Sequence, residues 1–117
     1  MMVEASFRQK QENRPDAESG AFVGHGGIPG EGPYISIWLT LAQGTVLDVR
    51  CRCNGCPSAL QVTERCALVL RGRTLAAIRQ LDRADIELIA GKLPDGKEYY
   101  YDLARTAIEN LRKEELN

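Results

Sequence analysis

The clearest periodic signal in the chain runs from Tyr34 to Leu41, where polarity alternates residue by residue. Ile35, Ile37, Leu39 and Leu41 share one face of an extended segment; Tyr34, Ser36, Trp38 and Thr40 share the other. Gln43-Gly44 supplies a turn. A second extended segment then places Leu47, Val49, Cys51 and Cys53 on an apolar side and Asp48, Arg50 and Arg52 on a polar one. Together they predict an antiparallel hairpin with one face on the core and the other more polar.

After Cys56 the period changes from two to about 3.6. Pro57 suits a first helical turn, and Ala59, Val62, Cys66, Val69 and Leu70 form a stripe that ends at Gly72. Thr74 is placed to cap a short helix carrying Leu75, Ile78 and Leu81. Asp82 is placed to cap another carrying Ile86 and Ile89, stopped by Gly91. Leu93-Pro94-Asp95-Gly96-Lys97 reads as a turn. A last helix is predicted from about Lys97 to Glu115, with Tyr100, Leu103, Ala104, Ala107 and Leu111 on one face. Tyr100 falls on the core side, and Tyr99 and Tyr101 on an exposed aromatic edge.

Upstream, residues 24–33 hold five glycines and two prolines, which predicts a loop whose backbone comes close to a neighbour. Residues 1–21 are polar and predict a loosely held arm, leaving 22–117 as a single domain. Strands first and helices afterwards predict an α+β fold, a small antiparallel sheet with helices packed on one face.

Composition narrows the functional classes. A chain of 117 residues, 26% charged and 44% hydrophobic, is an ordinary soluble globular domain with one modest core. Net charge is −1, from 15 basic and 16 acidic residues, so no nucleic acid and no membrane are expected as partners. No apolar run approaches the roughly 20 residues of a membrane span. Met1 to Pro15 carries no signal-peptide core, so the expected location is cytoplasmic, where thiols stay reduced. No phosphate-binding loop, Ser/His/Asp set or Cys/His dyad is present, and a conventional enzyme is not expected.

The candidate chemistry is concentrated in Cys51-Arg52-Cys53-Asn54-Gly55-Cys56, three cysteines in six residues between a strand and a helix. A thiolate at that junction sits near backbone N–H groups and the positive end of a helix dipole, which lowers its pKa. Cys56 is therefore the leading site residue. Cys51 and Cys53, two apart on one strand face, could join it around zinc, with Glu31 or the lone His25 as a fourth ligand. Against this, Cys51 also continues the apolar face of Leu47 and Val49, and Cys66 belongs to the helix stripe.

Four stretches in order carry a family resemblance. Asp48-Val49-Arg50-Cys51-Arg52-Cys53-Asn54-Gly55-Cys56-Pro57-Ser58-Ala59, Gly72-Arg73-Thr74-Leu75 with Asp85-Ile86, Leu93-Pro94-Asp95-Gly96-Lys97, and Leu103-Ala104 with Ala107-Ile108 are spaced as in one known family. Over about residues 12–113 the chain resembles the U-type iron–sulfur cluster assembly scaffolds, the family of IscU and the N-terminal domain of NifU. The resemblance implies that fold and a [2Fe–2S] site of three cysteines and an aspartate, beside a histidine preceding the third cysteine. It places Cys56 at the middle cysteine, Glu31 at the first, Pro33 at the aspartate and Tyr99-Tyr100 at the His-Cys pair. Asp95 and Gly96 depart from the family's chaperone-recognition loop.

The resulting expectation is a scaffold-like protein of iron–sulfur cluster assembly that handles sulfur, iron or a cluster through Cys56 with non-standard ligands. Its implied partners are a cysteine desulfurase or other assembly proteins. Two readings stand beside it: a metal-free interaction or regulatory module that keeps the scaffold fold, and a zinc protein built on Cys51, Cys53 and Cys56.

Overall fold

The computed structural model describes residues 19–114. The chain forms three strands, β1 (Gly20–Ile28), β2 (Glu31–Ala42) and β3 (Thr45–Cys53). Four helices follow, α1 (Pro57–Leu70), α2 (Leu75–Arg79), α3 (Arg83–Ala90) and α4 (Tyr99–Glu109), before a last short strand, β4 (Arg112–Lys113). The strands make one antiparallel sheet in the order β3-β2-β1-β4. Helices pack on one face of it, as the α+β pattern leads one to expect. Residues 1–18 of the predicted arm lie outside the described residues, while Gly20 and Ala21 already belong to β1.

The predicted glycine-rich loop is corrected by β1. Gly24 stands opposite Ile37 and Gly26 opposite Ile35, so both face the core. A Cβ on Gly24 would run into the carbonyl oxygen of Ala107, and one on Gly26 into that of Leu103. These glycines are strand residues, and their missing side chains let the backbone of α4 lie directly on the sheet. Only Pro29-Gly30 makes the turn to β2, with Gly30 at φ +84° as a type II turn requires.

The face read from β2 holds: Ile35, Ile37, Leu39 and Leu41 are all at most 3% exposed. Each such burial is worth about 1.5–3 kcal/mol. The face read for β3 holds for Val49, Cys51 and Cys53 but fails at Leu47. Thr40 pairs with Asp48 and Leu41 with Val46, so Leu47 is an extra residue in a bulge and is 59% exposed. Val46 takes its place in the core. It is held there because its N–H donates to Arg73 O and its own carbonyl accepts from the Gly72 N–H, both at 2.9 Å.

Helix ends follow the predicted caps. Thr74 Oγ1 accepts from the Ala77 N–H at 3.1 Å, and Asp82 with Asp85 forms a reciprocal capping box before Gly91 ends α3. The last helix is shorter than predicted. It stops at Glu109, and the chain doubles back so that Arg112 and Lys113 pair with Val23 and Phe22. Leu111, 4% exposed here, also falls on the apolar stripe of a longer helix, so periodicity does not separate that helix from a strand that satisfies the edge of β1. Tyr101 is also corrected: it is 5% exposed, with its hydroxyl donating to Gly91 O at 2.6 Å.

The opposite sheet face carries Val23, His25, Tyr34, Trp38, Arg50 and Arg52, all partly or fully exposed; Ser36 among them is buried.

The close seat of α4 predicts a sharp contrast among glycines. Gly24→Ala or Gly26→Ala should destabilise the protein by about 3 kcal/mol, because backbone rather than a flexible side chain would have to move. Gly30→Ala, in open space, should cost only about 1 kcal/mol for its positive φ. Urea unfolding of the three variants measures the difference; equal losses would show that α4 does not depend on this contact.

Candidate functional site

Gly55, at φ +87°, turns the chain out of β3, and Cys56 becomes the N-cap of α1 with extended backbone (φ −63°, ψ 138°). Its carbonyl accepts the first helical bond from the Leu60 N–H at 2.9 Å. No side-chain oxygen caps this helix, so the Cys56 sulfur occupies the position where a serine or aspartate oxygen would sit. The Ser58 N–H holds its thiol below the ordinary value, helped by the Tyr100 hydroxyl, the Ala59 N–H and the positive charge of Lys97; slight burial opposes them. Cys56 remains partly exposed, a combination that makes a thiolate available for attack.

Tyr100 reaches this sulfur from the first turn of α4, 1% exposed overall. Asn54 Nδ2 donates to the Tyr100 hydroxyl oxygen at 3.0 Å, and the hydroxyl lies 3.3 Å from Asn54 Oδ1, to which it can donate in turn. Burial, with Tyr99 and the Cys56 sulfur, pushes the phenol up from its usual value, so it stays a donor. Asn54, Tyr100 and Cys56 thus form a short polar chain at the end of the domain. Sequence reasoning assigned Tyr100 to packing and passed over Asn54 and Lys97. The available signal was that a core tyrosine needs a partner for its hydroxyl.

The other cysteines are sorted differently. Cys51 lies opposite Ile37 against the core, and burial, with the charge of Cys53, pushes its thiol up to about 12. Cys66 is 1% exposed and is likewise pushed to about 12 by burial and by Cys51. Both hold their protons and behave as small apolar residues. Cys53, opposite Ile35, is partly exposed at the end of β3. With Asn54, Gly55, Gly30, Gly32, Pro33 and Tyr34 it lines a cleft of about 550 Å³. Glu31 is exposed between two of these glycines, so the tip of the β1–β2 hairpin and the Cys53 end of β3 do meet.

His25 does not join them. It stands opposite Ser36, whereas Cys53 stands opposite Ile35, and alternate positions point to opposite faces. Its Nδ1 is hydrogen-bonded to Ser36 Oγ at 2.7 Å, and its ring meets Trp38 edge-on at 6.0 Å. The expected pairing of His25 with Cys53 or Cys51 is therefore corrected: the sheet lies between them.

A zinc ion or iron–sulfur cluster needs three or four donors converging on one point. Among the described residues, no group of three His, Cys, Asp or Glu side chains is placed to hold a metal ion. The donors present do not fit a cluster: Cys56 faces a phenol, Cys51 is turned to the core and His25 lies behind the sheet. What remains is Cys53 at the cleft beside the Glu31 hairpin tip, and the activated thiol of Cys56. No helix among the described residues is long and apolar enough to cross a membrane. No protein-family model matches the chain, and no curated protein matches it either.

This geometry predicts the pH profile of Cys56. Its alkylation by iodoacetamide should follow a midpoint below the ordinary thiol value of 9.0, because a depressed pKa populates the thiolate at lower pH. Tyr100→Phe removes a donor to the thiolate and should shift that midpoint upward, with Cys51 and Cys66 unreactive in the folded protein. Site-resolved mass spectrometry against pH measures both. A midpoint unmoved by Tyr100→Phe would exclude the hydroxyl as a partner of the sulfur.

Proposed function

We propose that this chain is a divergent relative of the IscU and NifU scaffolds that works in iron–sulfur cluster assembly as a sulfur acceptor, through Cys56. The observation that carries the reading is the Cys56 thiol at the open N-terminus of α1, partly exposed and facing two backbone N–H groups and a phenolic hydroxyl. The order and spacing of the sequence motifs, and an α+β architecture with helices on one sheet face, support the family assignment.

The chemistry needs one thiolate and no metal. The Cys56 thiolate attacks the terminal sulfur of a cysteine persulfide on a desulfurase. A new sulfur–sulfur bond forms on Cys56, the donor's sulfur–sulfur bond breaks, and the donor cysteine leaves as thiolate. The Ser58 and Ala59 N–H groups and the Tyr100 hydroxyl stabilise negative charge on sulfur before and after transfer. Lys97 favours the same charge. At the position where the resemblance puts a cluster cysteine, Tyr100 instead offers a proton donor, which suits a thiolate better than a metal.

A second reading has its own observation. The position where the resemblance puts the third cluster cysteine holds Tyr100, bonded to Asn54, which favours a metal-free module that binds assembly partners without sulfur chemistry.

Incubation with a cysteine desulfurase and L-cysteine under anaerobic conditions tests the two. The first reading expects intact mass to rise by one sulfur atom on Cys56, and Cys56→Ser to lose essentially all of it. Glu31→Ala should retain it. Desulfurase binding with no sulfur transferred, equal in the wild type and Cys56→Ser, would replace the first reading with the second.

A further inference from the structure

We propose that the outer edge of β3 is a docking groove for an extended acidic segment of a partner protein, which adds to the sheet as a further strand and is held by Arg50 and Arg52. β3 ends the sheet and pairs only with β2. The beginning of its outer edge is closed by the Val46 bonds to Arg73 and Gly72 and by the bridge between Thr45 and Thr74. From Leu47 to Cys53, no backbone hydrogen bond closes that edge among the described residues. An edge strand left this way is a template for a peptide backbone.

The walls of the edge differ in chemistry. On the open sheet face, Arg50 and Arg52 stand beside Trp38, and with Cys51 they line a depression of about 510 Å³. Both arginines are exposed, and neither takes part in a salt bridge among the described residues. Asp48, the acid on the same face, is matched by Arg71 at 3.1 Å. The face is therefore locally basic although the chain has a net charge of −1. On the other side runs the α1 stripe of Leu60, Glu64 and Ala67, continued by Arg71, whose reach to Asp48 places the stripe along β3. Leu60 on it is 42% exposed.

These walls specify the occupant. Arg50 and Arg52 are two apart on a strand, about 6–7 Å, which is also the spacing of alternate side chains in a paired peptide. Carboxylates at alternate positions would face the two guanidinium groups. Small apolar side chains at the intervening positions would face Leu60 and Ala67, where Glu64 disfavours a second acid. A second copy of this chain fits poorly, because antiparallel pairing of two β3 edges sets arginines against arginines. Single-stranded nucleic acid would satisfy the charges but leave the edge amides unused.

Trp38 is the one tryptophan in the chain, so its fluorescence reports on this groove. The probe is an end-capped, tryptophan-free peptide of alternating glutamate and valine. A saturable change in Trp38 emission is expected. It should weaken at least tenfold, roughly, in an Arg50→Glu/Arg52→Glu protein whose circular dichroism is unchanged. N-methylation of alternate peptide amides tests the strand pairing on the unaltered protein and should weaken binding to a similar extent. Equal binding of a lysine–valine peptide, indifference to N-methylation, or binding of oligo-dT in place of the peptide would each overturn the proposal.

Discussion

The contact between α4 and β1 governs most of this molecule. Gly24 and Gly26 remove the side chains that would hold the helix away, so the backbone around Leu103 and Ala107 settles onto the strand. Close packing of this kind leaves little freedom in helix direction. It carries Tyr100, at one end of α4, to the Cys56 sulfur, and it returns the chain at the other end as β4. The C-terminal end is tied down: Asn110 Nδ2 donates to His25 O at 2.9 Å, and Arg79 Nη2 donates to Leu111 O at 3.0 Å. The site at the N-terminus of α1 thus depends on two residues with no side chain, far from it in sequence.

Four thiols in sixteen residues acquire separate chemistries from their surroundings alone. Cys51 and Cys66 lose water and hold their protons, with each thiolate discouraged further by a neighbouring thiol. Cys56 gains backbone donors at a helix start, a hydroxyl and a nearby lysine, and releases its proton more readily. Cys53 stands at a cleft shared with the β1–β2 hairpin. The spacing that suggests a three-thiol metal site is divided by the strand-to-helix transition, which turns Cys56 towards α4 while Cys51 stays on the sheet.

The uncovered side of the sheet has a chemistry of its own. Helices take one face, so the arginines of β3 and the ring of Trp38 are left to solvent, and the α1–α2 connection closes only the first residues of the β3 edge. The reactive thiol and the open edge are joined through Cys53-Asn54-Gly55, the end of β3 and the turn into α1.

The α+β class, the β2 face, the turn at Gln43-Gly44, the caps at Thr74 and Asp82 and the place of Cys56 at the start of a helix were all legible in the sequence. Each rests on local physics: strand alternation, helical period, a capping oxygen, a thiol at a helix start. The tertiary structure alone decided the rest. Gly24 and Gly26 read as a loop until α4 is present to need their missing Cβ atoms. Leu47 read as core until the bonds of Val46 to Gly72 and Arg73 forced a bulge. The helix read past Glu109 gives way to β4, which pairs with the edge of β1, while Glu115 lies outside the described residues. His25 and the cysteines, all ligand types by composition, were separated by a sheet whose register no local pattern in β1 reveals. These outcomes depend on contacts between distant segments, and a side chain's role there is set by what packs against it.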